Sequence, residues 1–153
     1  MGSGPHGQAV VCIAPLVSQE RIFRLSGSRV PAPGKYTIQI ADDEHLAPAD
    51  ETLWALINHD CDPNCVIDFA AWELVTRRPI AVGEEITYNY LSTEWELAAP
   101  FDCRCGAPHC HQRIRGFRHL ARPQRHAIRP LLSPFLMTRL TPVEETSPVP
   151  RHG

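Results

Sequence analysis

Six short runs of β-branched and aromatic residues follow one another through the first ninety residues of this 153-residue chain. The runs cover residues 8–14, 21–25, 36–40, 66–70, 72–76 and 85–90. Segments rich in Gly, Ser and Pro, at 26–28, 31–34 and 81–84, predict turns between them. Short strands without alternating long helices argue against a doubly wound parallel sheet. We therefore predict a mainly β chain.

One short helix is predicted within this β region, over residues 50–57. Asp50 is its candidate N-cap. Leu53, Trp54 and Ile57 would form its apolar face.

The chain changes character after residue 120. Pro123, Pro130 and Pro134 are each expected to open a short helical piece, because proline is favoured in the first turn of a helix. Residues 141–153 are polar and proline-rich, and we expect a disordered tail there.

The bulk composition fits one globular domain, with 43% hydrophobic and 21% charged residues. No apolar run approaches the roughly 18 residues that a membrane-spanning helix needs, and the N-terminus lacks the features of a secretory signal. We expect a cytoplasmic or nuclear protein without a membrane partner, in which the six cysteines are reduced.

The formal net charge of −2 conceals a partition between two parts of the chain. Residues 1–102 carry six basic and fifteen acidic side chains, whereas residues 103–143 carry eight arginines and no acid. We expect the two parts to neutralise each other on folding. Nucleic acid is not expected as a partner, because no aromatic residues interleave with the arginines.

Three of the cysteines form a compact C-x-C-x4-C group made of Cys103, Cys105 and Cys110. Thiolates are preferred ligands of structural zinc, which takes four ligands, so one ligand is missing from this group. The candidates for the fourth ligand are His109, His111, Cys12, Cys61 and Cys65. The spacing by itself does not select among them.

Three motifs together resemble a known family. The stretches LINHDCDPNC (56–65), RRPIAVGEEITYNY (77–90) and FDCRCGAPHCHQRIRGF (101–117) are similar to the SET domain with its post-SET cysteine cluster, found in protein-lysine methyltransferases that use S-adenosylmethionine. The resemblance implies a β-clip-like fold of several short sheets with a pseudoknot, plus short C-terminal helices. It also implies a SET domain over 1–101, a post-SET zinc-binding segment over 102–120 and a helical extension over 121–140, followed by the tail.

The resemblance assigns roles residue by residue. Cys61 would join Cys103, Cys105 and Cys110 on one zinc ion. Tyr90 would be the catalytic tyrosine, assisted by Tyr36, and Tyr88 would occupy the position that tunes how many methyl groups are added. The residues implied to contact the cofactor are Gly7, Gln8, Ala9, Asn58, His59, Tyr90, Ile114 and Phe117, of which the last two would cover the adenine.

The chain also departs from the family pattern. Ala9 replaces the second glycine of the usual G-x-G motif, which adds a methyl group and restricts the backbone. No separate pre-SET module is expected from the short N-terminus.

The implied function is methyl transfer to a lysine side chain of a protein substrate. The acidic part of the chain fits a basic peptide such as a histone tail, and equally a ribosomal or other lysine-rich protein. The alternative is a zinc-stabilised interaction module that keeps the fold without turnover. A nucleic-acid-binding role for the arginine-rich segment is the third possibility, and salt-dependent binding would be its signature.

Overall fold

The computed structural model describes residues 3–4, 7–49 and 52–140. These residues form twelve short strands and two short α-helices. The strands are β1 (Ser3–Gly4), β2 (Gly7–Gln8), β3 (Arg21–Arg24), β4 (Gly27–Val30), β5 (Ile38–Ala41), β6 (Glu44–Pro48), β7 (Asn58–His59), β8 (Cys65–Asp68), β9 (Glu73–Thr76), β10 (Thr87–Tyr88), β11 (Phe101–Asp102) and β12 (Arg113–Ile114). The helices are α1 (Arg122–Ala127) and α2 (Pro134–Met137), and 3₁₀ turns lie at Leu53–Leu56, Tyr90–Ser92, Phe117–His119 and Arg129–Leu131.

Several small sheets replace the single large sheet of many β proteins. Two antiparallel three-stranded sheets have the orders β3-β9-β8 and β4-β6-β5, and β1-β2 and β11-β12 are antiparallel pairs. The pair β7-β10 is parallel, with Asn58 opposite Thr87 and His59 opposite Tyr88. This pairing brings two distant motifs side by side. The prediction of a mainly β chain is confirmed.

The strand β4 corrects one prediction, because residues 26–28 were expected to form a turn. Instead Gly27 begins a strand, and a Cβ atom on it would lie only 1.9 Å from the carbonyl oxygen of Ala47. Glycine is therefore used here for the close approach of β6, not for a turn. The predicted run 8–14 is likewise mostly irregular, with strand structure at Gln8 and an isolated bridge at Val11.

The predicted helix over residues 50–57 is a 3₁₀ turn, Leu53–Leu56. Trp54 and Ile57 are buried, as predicted, whereas Leu53 is 51% exposed. In a 3₁₀ turn the residues at i and i+3 share a face, so Trp54 and Ile57 point together and Leu53 does not. The candidate N-cap Asp50 lies outside the described residues, as does the predicted tail.

The prolines of the C-terminal segment behave as predicted. Pro123, Pro130 and Pro134 each lie in the first turn of a short helix, two α-helices and one 3₁₀ turn. The hydroxyl of Ser133 caps α2 by accepting a hydrogen bond from the N–H of Leu136 at 3.2 Å. Among the described residues, no helix has the length and apolarity that crossing a membrane requires.

Two hydrophobic clusters form the interior. The first takes its buried residues from Cys12 to Ile86. The second collects Cys61 and residues between Leu91 and Leu140, with Leu91, Ile114, Phe117 and Leu136 almost fully buried. The packing thus changes near residue 90, whereas the proposed segment boundary lies at 101/102.

Ion pairs join the acidic and the arginine-rich parts, as expected. Arg118 contacts Glu96 at 2.8 Å, and Arg139 contacts Asp42. These pairs are partly exposed, so each contributes little to stability.

Candidate functional site

A cavity of about 570 Å³ opens where the parallel pair β7-β10 meets the loops around it. This size lies within the usual range for small-molecule sites. The described residues that line it are Gly7, Gln8, Gly34, Lys35, Tyr36, Thr37, Trp54, Ala55, Leu56, Ile57, Asn58, Tyr88, Tyr90, Glu94, Leu97, Ala98, Ala99, Pro100 and Phe101. Six of the residues that the sequence nominated for catalysis or cofactor contact are in this set.

Asn58 holds the N-terminal segment that contains strand β2, here called the Gly7–Gln8 loop, against the cavity. Its Nδ2 donates hydrogen bonds to the carbonyl oxygen of Gln8 at 2.8 Å and to Oε1 of Glu85 at 2.7 Å. Gly7 has a φ of +99°, a conformation that glycine adopts without strain. The neighbouring Ala9 is buried and has no positive φ, so the alanine fits this loop without backbone strain.

His59 is buried beneath the cavity. Its Nδ1 accepts a hydrogen bond from the backbone N–H of Tyr90 at 3.0 Å, so the ring proton resides on Nε2. Nε2 lies 3.3 Å from Sγ of Cys61 and donates to it. His59 is not among the described residues that line the cavity, and it contacts Tyr90 through the backbone hydrogen bond at Nδ1.

The two tyrosines of β10 and the following 3₁₀ turn lie against each other. The ring centroids of Tyr88 and Tyr90 are 4.9 Å apart. Burial raises the pKa of both phenols above the ordinary range, and Glu85 adds to the rise at Tyr90. Both hydroxyls therefore stay protonated at neutral pH.

The hydroxyl of Tyr90 has a defined orientation. It donates to the carbonyl oxygen of Ile57 at 2.6 Å, which leaves its lone pairs available as acceptors. Tyr36 also lines the cavity and is 48% exposed, which fits a position at the mouth.

The four cysteines Cys61, Cys103, Cys105 and Cys110 form one cluster, in which all four Sγ atoms lie within 4.8 Å of one another. A tetrahedral zinc site with Zn–S bonds of ~2.3 Å has sulfur atoms about 3.8 Å apart. The Sγ atoms of Cys61 and Cys103 are 3.9 Å apart, so the donor set fits zinc.

The cluster also selects among the candidates for the fourth ligand. Cys12 and Cys65 are buried in the first hydrophobic cluster. The Nε2 atom of His109 lies 3.2 Å from the carbonyl oxygen of Cys61, and the backbone N–H of His111 donates to Sγ of Cys61 at 3.5 Å. Burial raises the pKa of the Cys61 and Cys103 thiols, and a bound zinc ion would favour their thiolate forms.

Ile114 and Phe117, nominated to cover an adenine, are fully buried in the second hydrophobic cluster. They are not among the described residues that line the cavity. Leu97 and Phe101 stand on its wall, and the ring of Phe101 packs edge-on against both His59 and Tyr90, at 5.7 and 5.9 Å. Phe101 is paired with Ile114 across β11-β12, and Phe101 lines the cavity whereas Ile114 is buried in the second hydrophobic cluster.

Sequence reasoning missed Glu94. This carboxylate is buried, lines the cavity and accepts a hydrogen bond at Oε2 from the N–H of Gln39 at 3.0 Å. Its only sequence signal is its position four residues after Tyr90, because its burial depends on a partner 55 residues earlier in the chain.

The sequence of the chain matches a known protein family. The family model described as SET domain matches residues 9–91, more than half of the chain. The chain therefore belongs to the SET domain family. The prediction made from the three motifs is confirmed, together with the predicted fold.

Two named relatives show the extent of the sequence similarity. The chain is 35% identical over 99 residues to the protein named Methyltransferase flvH of Aspergillus flavus, covering 62% of this chain and 54% of that protein. It is 36% identical over 106 residues to Histone-lysine N-methyltransferase TRX1 of Oryza sativa, covering 64% of this chain and 10% of that protein. The chain thus spans about half of the first relative and a small part of the second.

Solved structures match in fold. The crystal structure of KRYPTONITE in complex with mCHG DNA and SAH has a TM-score of 0.56 and 23% identity, with 72% of this chain and 27% of that chain covered. A second KRYPTONITE complex, with mCHH DNA, H3(1-15) peptide and SAH, has a TM-score of 0.55, with 72% of this chain and 28% of that chain covered, and 22% identity.

Proposed function

We propose that this chain is an S-adenosylmethionine-dependent protein-lysine N-methyltransferase. The observation that carries the proposal is the cavity in which the protonated phenols of Tyr88 and Tyr90 stand beside Asn58 and the Gly7–Gln8 loop. Relatives named as methyltransferases and fold neighbours solved with SAH support it.

The residues around the cavity fit a nucleoside-bearing methyl donor. Gly7 and Gln8 present backbone on one side, and Asn58 fixes that loop. Tyr90, Leu97 and Phe101 offer aromatic and apolar surface. When bound, S-adenosylmethionine supplies an electrophilic methyl carbon on a cationic sulfur. Ile114 and Phe117 would support this wall from the second hydrophobic cluster, and His59 would position Tyr90.

The phenols suit a lysine amine. Methyl transfer needs the neutral amine, and removing a proton from a lysine of pKa ~10.4 at pH 7 costs roughly 4.6 kcal/mol. Burial disfavours the ammonium and reduces this cost. Because the Tyr90 hydroxyl donates to Ile57, its oxygen is free to accept an N–H of the amine and direct the nitrogen lone pair. Tyr36 would guide the lysine at the mouth.

Zinc has a structural role in this proposal. Cys61, Cys103, Cys105 and Cys110 supply four thiolates, and a four-thiolate site is closed to substrate. The ion would fix the post-SET segment 102–120 onto the SET domain 1–101, with the helical extension 121–140 packed behind it.

The substrate we propose is a lysine-bearing basic protein of the histone class. Histone-lysine methyltransferases are among the named relatives, and one fold neighbour was solved with an H3 peptide. The acidic first 102 residues would attract such a peptide.

Incubation of zinc-loaded protein with S-adenosylmethionine and a histone H3 tail peptide tests the proposal. We expect mass spectrometry to detect a methylated lysine, with the rate reduced roughly 10²-fold or more in Tyr90→Phe. The surface variant Glu96→Gln is the matched control and should retain activity. Cofactor binding without transfer to any lysine-rich protein would favour the interaction-module alternative.

A further inference from the structure

The cavity contains a carboxylate for which the proposed function has no role so far. Among the described residues that line it, Glu94 is the one acidic side chain. It follows the 3₁₀ turn that begins at Tyr90, and its backbone N–H donates to the carbonyl oxygen of Tyr90 at 3.0 Å. The fold therefore places this carboxylate next to the proposed catalytic tyrosine.

Glu94 is held in position from a separate sheet. Its Oε2 accepts the N–H of Gln39 on β5 at 3.0 Å, and Oε1 of Gln39 accepts the N–H of Trp95 at 2.9 Å. This reciprocal pair of hydrogen bonds fixes the turn after Tyr90 against β5. Among the described residues, the carboxylate has no basic partner within ion-pair distance, so no described ion pair compensates its charge.

The carboxylate also acts electrostatically on both phenols. Glu94 contributes to the raised pKa of Tyr88 and of Tyr90, and all three side chains line the same cavity. The titratable groups that line the cavity with it are Lys35 and the phenols of Tyr36, Tyr88 and Tyr90. The ammonium of Lys35 lies 5.4 Å from the ring centroid of Tyr36, and Tyr36 is exposed at the mouth.

A buried, uncompensated carboxylate is costly unless a cation enters its surroundings. Burial raises the pKa of Glu94 to about 7, against the opposing effects of the Gln39 N–H and the Thr93 hydroxyl. The neighbouring phenols are protonated at neutral pH and cannot accept a proton. A group with a pKa near the working pH is an effective general base.

We propose that Glu94 binds the substrate ammonium in the cavity and accepts its proton before methyl transfer. This inference rests on the proposed function. One N–H bond of the ammonium breaks and one O–H bond forms on the carboxylate, which leaves a neutral amine and a neutral acid. The amine lone pair then forms the bond to the methyl carbon as the carbon–sulfur bond breaks, and that electron pair remains on sulfur. Glu94 returns its proton to water when the product leaves.

The pH dependence of single-turnover methylation distinguishes this role from a structural one. In the wild type, the rate constant should rise with pH and level off near pH 7, where Glu94 ionises. In Glu94→Gln, the rate should fall roughly 10²-fold at pH 7 and continue rising toward the pKa of the amine itself. Glutamine retains an oxygen that can accept the Gln39 N–H, so the fold should be preserved. Glu96→Gln, two residues away on the surface, should keep the wild-type profile.

A lysine analogue adds an independent readout. A peptide carrying thialysine, in which sulfur lowers the pKa of the amine, should shift the inflection of Glu94→Gln downward and leave that of the wild type in place.

If folded Glu94→Gln keeps the wild-type profile, the inference is wrong although the methyltransferase proposal stands. If the wild type itself neither binds S-adenosylmethionine nor methylates any lysine peptide, the proposed function fails first. If Glu94→Gln does not fold, Glu94→Asp serves as the second variant because it retains a carboxylic acid. Glu94→Asp should keep the inflection of the pH profile at a lower rate. Loss of that inflection in folded Glu94→Asp would contradict the inference.

Discussion

Cys61 and Tyr90 contact opposite nitrogens of one buried imidazole. His59 accepts the backbone N–H of Tyr90 at Nδ1 and lies 3.3 Å from the sulfur of Cys61 at Nε2. The four-sulfur cluster and the cavity are thus connected through one side chain. Because an imidazole ring is rigid, displacement of Cys61 would move the start of the 3₁₀ turn that carries Tyr90.

Replacing Cys61 by serine should reduce the zinc content to well below one ion per chain, because three thiolates remain in a site built for four. Elemental analysis of the purified protein measures this. Cys65→Ser is the matched control, since Cys65 is a buried cysteine of the first hydrophobic cluster and should leave zinc unchanged. Full zinc retention by Cys61→Ser would show that the cluster is not the metal site.

Removing the metal should abolish cofactor binding before the β-sheets around the first hydrophobic cluster unfold. The second hydrophobic cluster includes Cys61, Cys103 and the wall residue Leu97, whereas the first contains no member of the metal cluster among its described buried residues. Titration with a chelator, followed by circular dichroism and by S-adenosylmethionine binding, measures the two losses separately. Cys105→Ser should likewise lose cofactor binding while it keeps its β-sheet signal. Loss of binding and of the β-sheet signal together, in either experiment, would contradict the prediction that binding is lost first.

Changing Tyr88 to phenylalanine should raise the degree of methylation. The hydroxyl of Tyr88 is protonated and lies beside Tyr90, so it can hold a water molecule in space that a methylated amine would need. Mass spectrometry of the product should show mainly monomethyl-lysine for the wild type and a larger share of higher states for Tyr88→Phe. A wild type that already makes mainly trimethyl-lysine would refute this explanation.

The free energy of unfolding should depend on pH through Glu94. Its pKa is raised from 4.5 to about 7 in the folded state, so the folded protein binds the proton more tightly than the unfolded chain does. The associated stability is complete below about pH 4.5 and is lost as pH rises through 7. Glu94→Gln lacks this effect. Its free energy of unfolding should therefore rise by about 3 kcal/mol relative to that of the wild type between about pH 4.5 and pH 7.

Urea unfolding of both proteins at several pH values and equal zinc loading measures the difference. Glu96→Gln should show no such gain, because Glu96 is exposed and pairs with Arg118 and His119. A difference between the wild type and Glu94→Gln that does not change with pH would contradict the raised pKa.

Local patterns in the sequence predicted the parts of the fold that local chemistry determines. The prolines at 123, 130 and 134 open short helices, because their restricted φ suits a first helical turn. The motif around residues 58–61 and the cysteine group indicated the family, and that resemblance nominated the four cysteines that lie together in the structure. These features repeat wherever the same chemistry is needed, so one sequence reveals them.

Other features depend on partners far away in the chain. The strand β4 looks like a turn because of its Gly and Ser residues, and only its close approach to β6 makes it a strand. Phe101 rather than Phe117 lines the cavity, because Phe117 is buried in a cluster whose members extend from Cys61 to Leu140. Glu94 is buried because Gln39 lies against it. Such pairings are set by tertiary packing, which overrides local preference.

Calorimetric titration of S-adenosylmethionine into zinc-loaded protein measures whether the chain binds the methyl donor that a methyltransferase needs. We expect binding of one cofactor per chain. Asn58→Ala should weaken this binding strongly, because the Asn58 side chain holds the Gly7–Gln8 loop against the cavity. Absence of binding heat at several temperatures, in folded protein carrying one zinc ion, would contradict the assignment of this chain as a methyltransferase.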